Sequence, residues 1–165
     1  MFKKIVLFAL VMFPVAVFAQ DKIAYVHYLE VVNAMPEYKQ MMDSLNKFQT
    51  DFQAELKSMS DEFTKKYSDY IAQRDSLNEN IRLRREQELQ DMQQRAENFQ
   101  QYAAQKQDEM QQALSAPILS KLQKAIEDVG KENNFLYIAN SQVFLYISPN
   151  ATDATPLVKR KLGIQ

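Results

Sequence analysis

The chain has no cysteine, no tryptophan, a single histidine and only two glycines among its 165 residues. The absence of cysteine excludes disulfide bonds, thiolate metal ligands and thiol catalysis. One histidine, His27, is too few for a typical transition-metal centre. The glycines, Gly130 and Gly163, stand too far apart to form a phosphate-binding loop. We therefore expect no enzyme activity, no bound metal and no cofactor.

Excess charge of either sign is also lacking. The formal net charge is −1, with 20 basic and 21 acidic side chains. A nucleic-acid-binding protein carries a strongly basic surface, so nucleic acid is not an expected partner.

Long apolar runs are absent except at the N-terminus, where residues 5–18 are almost entirely apolar. The basic pair Lys3 and Lys4 precedes this run, and small residues end it at Ala19, as in a secretory signal peptide. The run is shorter than the roughly 20 apolar residues that a transmembrane helix needs. We predict that residues 1–19 are a signal peptide that is cleaved after Ala19.

Glycine and proline are both missing from residues 37–116, which make up about half of the chain. This segment is rich in Gln, Glu, Lys, Arg, Met, Leu and Ala, which favour helices. A single helix of this length would extend over about 120 Å, whereas globular helices average about three turns. The sequence therefore predicts a long helical element over residues 37–116.

Two apolar registers divide this helical element. The first has steps of three and four residues: Tyr38, Met41, Leu45, Phe48, Phe52, Leu56, Met59, Phe63, Tyr67 and Tyr70. The second runs from Leu89 to Ala113 with a spacing close to a heptad repeat. Between them, residues 75–80 (DSLNEN) favour a turn. We predict a helical hairpin with two segments of roughly 55–60 Å each; the alternative is one straight rod with a stutter.

The two ends of the chain carry strand patterns. Residues 22–28, 135–139 and 143–147 are rich in β-branched and aromatic side chains, and a short turn with Asn140 and Ser141 separates the last two. Residues 149–153 are predicted to form a loop.

Shorter helices are predicted beside the strands. Residues 29–34 allow one or two turns, and Pro36 suits the first turn of the next helix. Pro117 predicts a kink or restart, with Ser115 as N-cap, of a helix that ends at Gly130. A final helix is predicted from Thr155 to Leu162, closing at Gly163.

These elements predict an α+β fold with a discontinuous β-body, residues 20–36 and 117–165, and a helical-hairpin arm, residues 37–116. A body of roughly 65 residues is marginally stable alone, so we expect it to oligomerise. The expected interface uses apolar residues of the second and third predicted strands: Phe135, Tyr137, Val143 and Leu145.

The order of these segments resembles the Skp/OmpH family of periplasmic chaperones. The opening runs KIAYVH (22–27) and MPEY (35–38) are similar to that family, as are the long polar helical insert and the closing runs FLYIA (135–139) and TPLVKRKLG (155–163). The resemblance implies a homotrimer in the periplasm, with three helical hairpins projecting from a β-body. It implies a holdase, independent of ATP, that binds unfolded outer-membrane β-barrel proteins between the arms, and transient contact with membrane surfaces.

The chain departs from the family in its charge. Well-known members are markedly basic, whereas this chain has a pI near 5.9. Basic residues near the predicted tip, Arg74, Arg82, Arg84 and Arg85, alternate with acidic ones. This pattern favours solvated ion pairs, so a lipopolysaccharide or phospholipid site is not assigned to these residues.

Candidate client-binding residues follow from the composition of the predicted arm. Its aromatic and methionine side chains are typical of surfaces that accept varied apolar partners, although most of them are expected to fill the contact between the two helices. Three that flank this contact are the candidates for client binding: Met42, Met59 and Tyr70. The alternative function is a non-catalytic coiled-coil scaffold or spacer of the cell envelope.

Overall fold

The computed structural model describes residues 22–164, and the signal peptide predicted for residues 1–19 lies outside the described residues. A three-stranded sheet consists of β1 (Lys22–Val26), β2 (Phe135–Asn140) and β3 (Thr152–Asp153). The strand order is β2-β1-β3, and β1 pairs in parallel with both neighbours. The first strand is therefore held in place by the last part of the chain.

Four helices complete the fold: α1 (Tyr28–Ala34), α2 (Pro36–Gln73), α3 (Glu79–Glu132) and α4 (Thr155–Leu162). Helix α2 begins with Pro36, whose missing N–H costs nothing in the first turn. Helix α4 ends at Gly163, which adopts the left-handed conformation with φ of 73°. Both ends agree with the sequence prediction.

The chain reverses direction between α2 and α3. A 3₁₀ turn, Arg74–Ser76, follows α2, and the Asn78 side chain then accepts a hydrogen bond of 3.0 Å from the Ile81 amide. This bond satisfies one of the free N–H groups at the start of α3. The helical hairpin is confirmed, and the straight rod is excluded. We call the hairpin formed by α2 and α3 the arm.

The core of the body lies between one side of the sheet and the helices. Strand β1 contributes Ala24 and Val26 at alternate positions, as expected for one face of a strand. The other members are helical or lie beside helices: Val31, Val32, Met35, Met41, Ile118, Leu122, Ala125, Val129, Ala154 and Val158. Because Met41 and Ile118 belong to the arm helices, the root of the arm is built into the core of the body.

The restart that was one of the two alternatives predicted at Pro117 does not occur, because α3 passes through this proline without interruption. Ser115 is not an N-cap; its hydroxyl donates to the Gln112 carbonyl inside the helix at 3.3 Å. Burial of Ile118 and Leu122 in the core stabilises the helix just beyond the hydrogen bond that proline removes. The predicted division between residues 116 and 117 therefore falls inside a helix, and the division into body and arm stays a prediction.

The helix end predicted at Gly130 is also wrong, since α3 continues to Glu132. The residue with positive φ after this helix is Asn134, at 54°. A side chain at position 130 would have its Cβ 3.7 Å from Cδ1 of Ile138. Gly130 therefore lies where α3 packs closely on β2 and does not cap the helix.

The strand predicted for residues 143–147 is not formed. A 3₁₀ turn, Ser141–Val143, follows β2, and no ladder within the described part of the chain pairs residues 143–147. The third strand is instead Thr152–Asp153, in the predicted loop. Residues 143–147 do not pair with the outer edge of β2, because the 3₁₀ turn that follows β2 already includes Val143 and no hairpin turn forms.

An ion-pair cluster joins the two helices near the tip of the arm. Lys66 of α2 donates to Glu88 of α3, and Arg85 contacts the same carboxylate at 3.3 Å. The hydrogen bond from Lys66 is the main reason that the pKa of Glu88 lies below its usual value. A carboxyl group with a lowered pKa stabilises the fold above its unfolded pKa, and this contribution disappears as the pH falls through the folded pKa.

We predict that Glu88→Gln lowers the melting temperature at pH 7 and that the difference from the wild type decreases as the pH falls below about 4.3, the ordinary pKa of a glutamate. Thermal unfolding followed by circular dichroism between pH 7 and pH 3 measures this. Glu97→Gln is the matched control, since Glu97 has no ion-pair partner within residues 22–164. A difference that stays constant down to pH 3 would show that the ion pair does not stabilise the hairpin.

Candidate functional site

The contact between α2 and α3, which we call the seam, is narrow. Phe52 and Phe99 meet across it with ring centroids 5.1 Å apart. Only Met41 is buried along α2. Two helices alone cannot cover each other's apolar side chains on all sides, so many remain half-buried at the edges of the seam. The arm therefore presents apolar surface to solvent.

A groove of about 610 Å³ opens along one side of the seam, half-way along the arm. Apolar side chains of both helices line it: Leu56, Met59 and Phe63 from α2, and Met92 and Ala96 from α3. Polar and charged side chains also line it: Lys57, Ser60, Gln93, Glu97 and Gln100. We call this the mid-arm groove. Its size and lining suit apolar side chains of a bound chain.

Apolar surface continues from the groove toward the tip. Phe63 stacks on Tyr67 with ring centroids 6.0 Å apart and planes 12° apart. Ile71 follows four residues later on the same side of the helix. Tyr67 is 49% exposed and Ile71 is 50% exposed. We call the row of α2 residues from the groove to the tip the apolar track: Leu56, Met59, Phe63, Tyr67 and Ile71.

Sequence reasoning assigned Tyr67 to the seam and did not select Ile71. The signal for the track was the spacing of four residues between Phe63, Tyr67 and Ile71, which continues in one direction around the helix. The predicted register contains the same residues from Leu56 to Tyr67 and differs from the track only in its last step, which leads to Tyr70 and not to Ile71.

The three predicted client-binding residues lie at separate places along α2. Met42 is exposed near the root, and Met59 lines the mid-arm groove. The Tyr70 hydroxyl donates to Glu86 of α3 across the seam, and this hydrogen bond raises the pKa of Tyr70. Met42 and Tyr70 are about 42 Å apart by helix rise. The structure does not bring the three together, and their role in client binding stays a prediction.

The predicted interface residues of the body are mostly exposed. Phe135 packs against the core, whereas Tyr137, Val143 and Leu145 face solvent. The neighbouring Leu136, Phe144 and Tyr146 are exposed as well. Strand β2 pairs only with β1 among the described residues, so its outer edge is free. We call the exposed apolar residues of β2 and of segment 143–147 the body patch.

His27 lies where β1 ends, and its surroundings agree with a structural role. Its Nδ1 is 2.9 Å from the Ser141 hydroxyl, and its ring stands edge-on to Tyr25 with centroids 5.3 Å apart. Its backbone N–H donates to the Thr155 hydroxyl at 2.9 Å. His27 thus connects β1 with the segments that follow β2 and β3.

Residues 22–164 show neither the features of a metal site nor those of a membrane-spanning helix. No cluster of three or more histidine, cysteine or acidic residues there is arranged to bind a metal ion. Within the same residues, no helix has the length and apolar character needed to cross a membrane. At the tip, Arg74 pairs with Asp75 at 3.1 Å and Arg85 pairs with Glu88. These pairs agree with the predicted solvated ion pairs.

Comparison with known proteins gives one family and a similar solved fold. The family model described as outer membrane protein (OmpH-like) matches residues 22–162. A crystal structure from Caulobacter crescentus CB15, described as an OmpH-like outer membrane chaperone, superimposes with a TM-score of 0.77 at 14% identity, covering 87% of this chain and 85% of that one. No curated protein matches. Because the family model covers most of the described residues, the chain belongs to the OmpH-like family.

Proposed function

We propose that the protein is a periplasmic holdase chaperone that works without ATP and binds unfolded outer-membrane β-barrel proteins. Membership of the OmpH-like family supports this, as does the description of the Caulobacter protein as an outer membrane chaperone. The single observation that carries the proposal is the arm surface, where the mid-arm groove and the apolar track leave apolar side chains open to solvent. Exposed apolar surface of this kind marks interaction sites.

The chemistry of the arm suits reversible holding. The half-buried Met59 lines the groove with a flexible, polarizable side chain that adapts to partners of different shape. Each contact with a client is weak, because the groove is open and shallow contacts bury little area. Several arms acting on one client raise the overall affinity by avidity without making any single contact tight. A client held by such weak contacts dissociates without nucleotide hydrolysis.

A homotrimer is the assembly that we propose for the body. The body patch leaves Tyr137 63% exposed and Val143 70% exposed. The composition of residues 143–147 favours a strand, but they pair with no strand in the described part of the chain. The outer edge of β2 is free there as well. Pairing between copies would cover both, and it would supply the buried area that a small body lacks.

Sedimentation equilibrium of residues 20–165 tests the assembly. We predict about three times the monomer mass at micromolar concentration. Replacing Val143 and Leu145 by Ser is predicted to shift the distribution toward monomer. If another copy buries these two exposed side chains, serine removes apolar area from the interface and weakens the assembly. The matched control is Leu119→Ser, which changes an exposed leucine of α3. A stable, folded monomer of the wild type would contradict the trimer.

Aggregation assays test the holding function. We predict that a chain lacking residues 48–109, closed by a short turn, keeps its assembly but no longer prevents light scattering by a urea-diluted outer-membrane barrel protein. Replacing Met42, Met59 and Tyr70 by Ser is predicted to weaken holding. Met42→Ser alone should change the free energy of unfolding by no more than about 0.5 kcal/mol, because the side chain is on the surface. Full protection by the armless chain would place client binding on the body.

A further inference from the structure

The spacing of side chains along the apolar track is close to that of an extended strand. Phe63, Tyr67 and Ile71 succeed one another every four residues, which is about 6 Å along the helix axis. In an extended chain, side chains on one face are two residues apart, or about 6.6 Å. Every second side chain of a strand lying along α2 would therefore come close to successive residues of the track.

The length of the track sets the size of the occupant. Leu56 and Ile71 are about 22 Å apart by helix rise. An extended segment of roughly seven residues has this length, and a transmembrane β-strand has about 9–11 residues. Most of one such strand therefore fits along one arm.

The charges around the track favour a segment without acidic residues. Lys57 is engaged with Asp61 at 2.5 Å, while Ser60, Gln93 and Gln100 are neutral. Glu97 lies in the half of the groove nearer the root and has no ion-pair partner within residues 22–164. Its carboxylate complements a basic side chain and repels an acidic one.

We propose that the apolar track binds extended segments with an apolar side chain at every second position, the pattern of a transmembrane β-strand, and prefers a basic residue where the segment passes Glu97. The apolar side chains lie on the track, and the intervening polar ones face water. This inference rests on the proposed function and specifies which segments of a client are held. A segment of the same composition with its apolar residues grouped together would place polar side chains on the track and bury less apolar area.

Peptide binding to the full mature chain, residues 20–165, tests the pattern. Three fluorescent nine-residue peptides share one composition of Leu, Tyr, Ser and Thr plus a terminal Lys: one alternating, one with grouped apolar residues, and one with helical spacing. By fluorescence anisotropy, we expect the alternating peptide to bind on the order of tenfold more tightly than the other two. Equal affinities would overturn the proposal, and tighter binding of the helically spaced peptide would indicate a helical occupant instead.

Variants of the track locate the site. Tyr67→Ser combined with Ile71→Ser should weaken binding of the alternating peptide on the order of tenfold. The matched control is Tyr102→Ser combined with Leu83→Ser, which also removes one tyrosine and one aliphatic side chain. Tyr102 is 60% exposed and Leu83 is 55% exposed, and neither lines the groove. An equal loss in the control would overturn the assignment. Circular dichroism should show that both variants keep their helices.

The charge preference has its own comparison. The alternating peptide with a terminal Lys should bind more tightly than one with a terminal Glu, and Glu97→Gln should remove the difference. A preference for the terminal Glu would contradict the role of Glu97. Light scattering of a whole barrel protein is measured on the same samples. Preserved holding without any pattern preference would overturn the inference and leave the proposed function intact, whereas loss of holding by the wild type would remove both.

Discussion

The pairing of β1 between β2 and β3 is the constraint on which the rest of the fold depends. Both neighbours run parallel to β1, so each connection must carry the chain back to the end of the sheet where β1 begins. The connection from β1 to β2 contains the whole arm. The chain leaves the body in α2 and returns to it in α3, so the 108 residues between β1 and β2 include the helical hairpin. The Ala154 amide donates to the Tyr25 carbonyl at 2.8 Å and holds the last helix on the same strand.

Three zones follow one another along the arm, and each has different chemistry. At the root, Met41 and Ile118 belong to the core of the body. Half-way along, methionine and aromatic side chains both join the two helices and line an open groove. Near the tip, charged groups around Glu88 join the helices instead. The apolar contacts that join the two helices thus extend from the root to the middle of the arm, while the exposed apolar track continues toward the tip.

Local patterns predicted much of this fold. The helical composition of residues 37–116, the turn residues after Arg74 and the proline and glycine of α4 each act through the backbone nearby, so sequence alone revealed them. Residues 143–147 and Pro117 depend on distant contacts. Residues 143–147 have strand propensity, but a 3₁₀ turn follows β2 and they pair with no strand of the described sheet. At Pro117 the helix continues, and Ile118 and Leu122 just beyond it are buried in the core. The propensities of the residues themselves predict neither of these outcomes, because both depend on tertiary structure.

The candidate site was predictable only in part for a similar reason. Met59 was selected because methionine is typical of adaptable surfaces, and it does line the groove. Tyr70 has the same residue chemistry as Tyr67, but its hydroxyl reaches Glu86 across the seam. Which of two tyrosines three residues apart faces the partner helix depends on the exact rotation of α2. The spacing of apolar residues alone does not determine that rotation.

Site-specific photo-cross-linking tests most directly whether the arm holds clients while the body joins copies of the chain. A photoreactive phenylalanine analogue replaces Tyr67 in one sample and Tyr137 in another, and each is irradiated with and without an unfolded outer-membrane barrel protein. We expect the probe at position 67 to cross-link to the client, and the probe at position 137 to give chain-to-chain products whether or not the client is present. Client adducts at position 137 with none at position 67 would contradict this division of roles between arm and body.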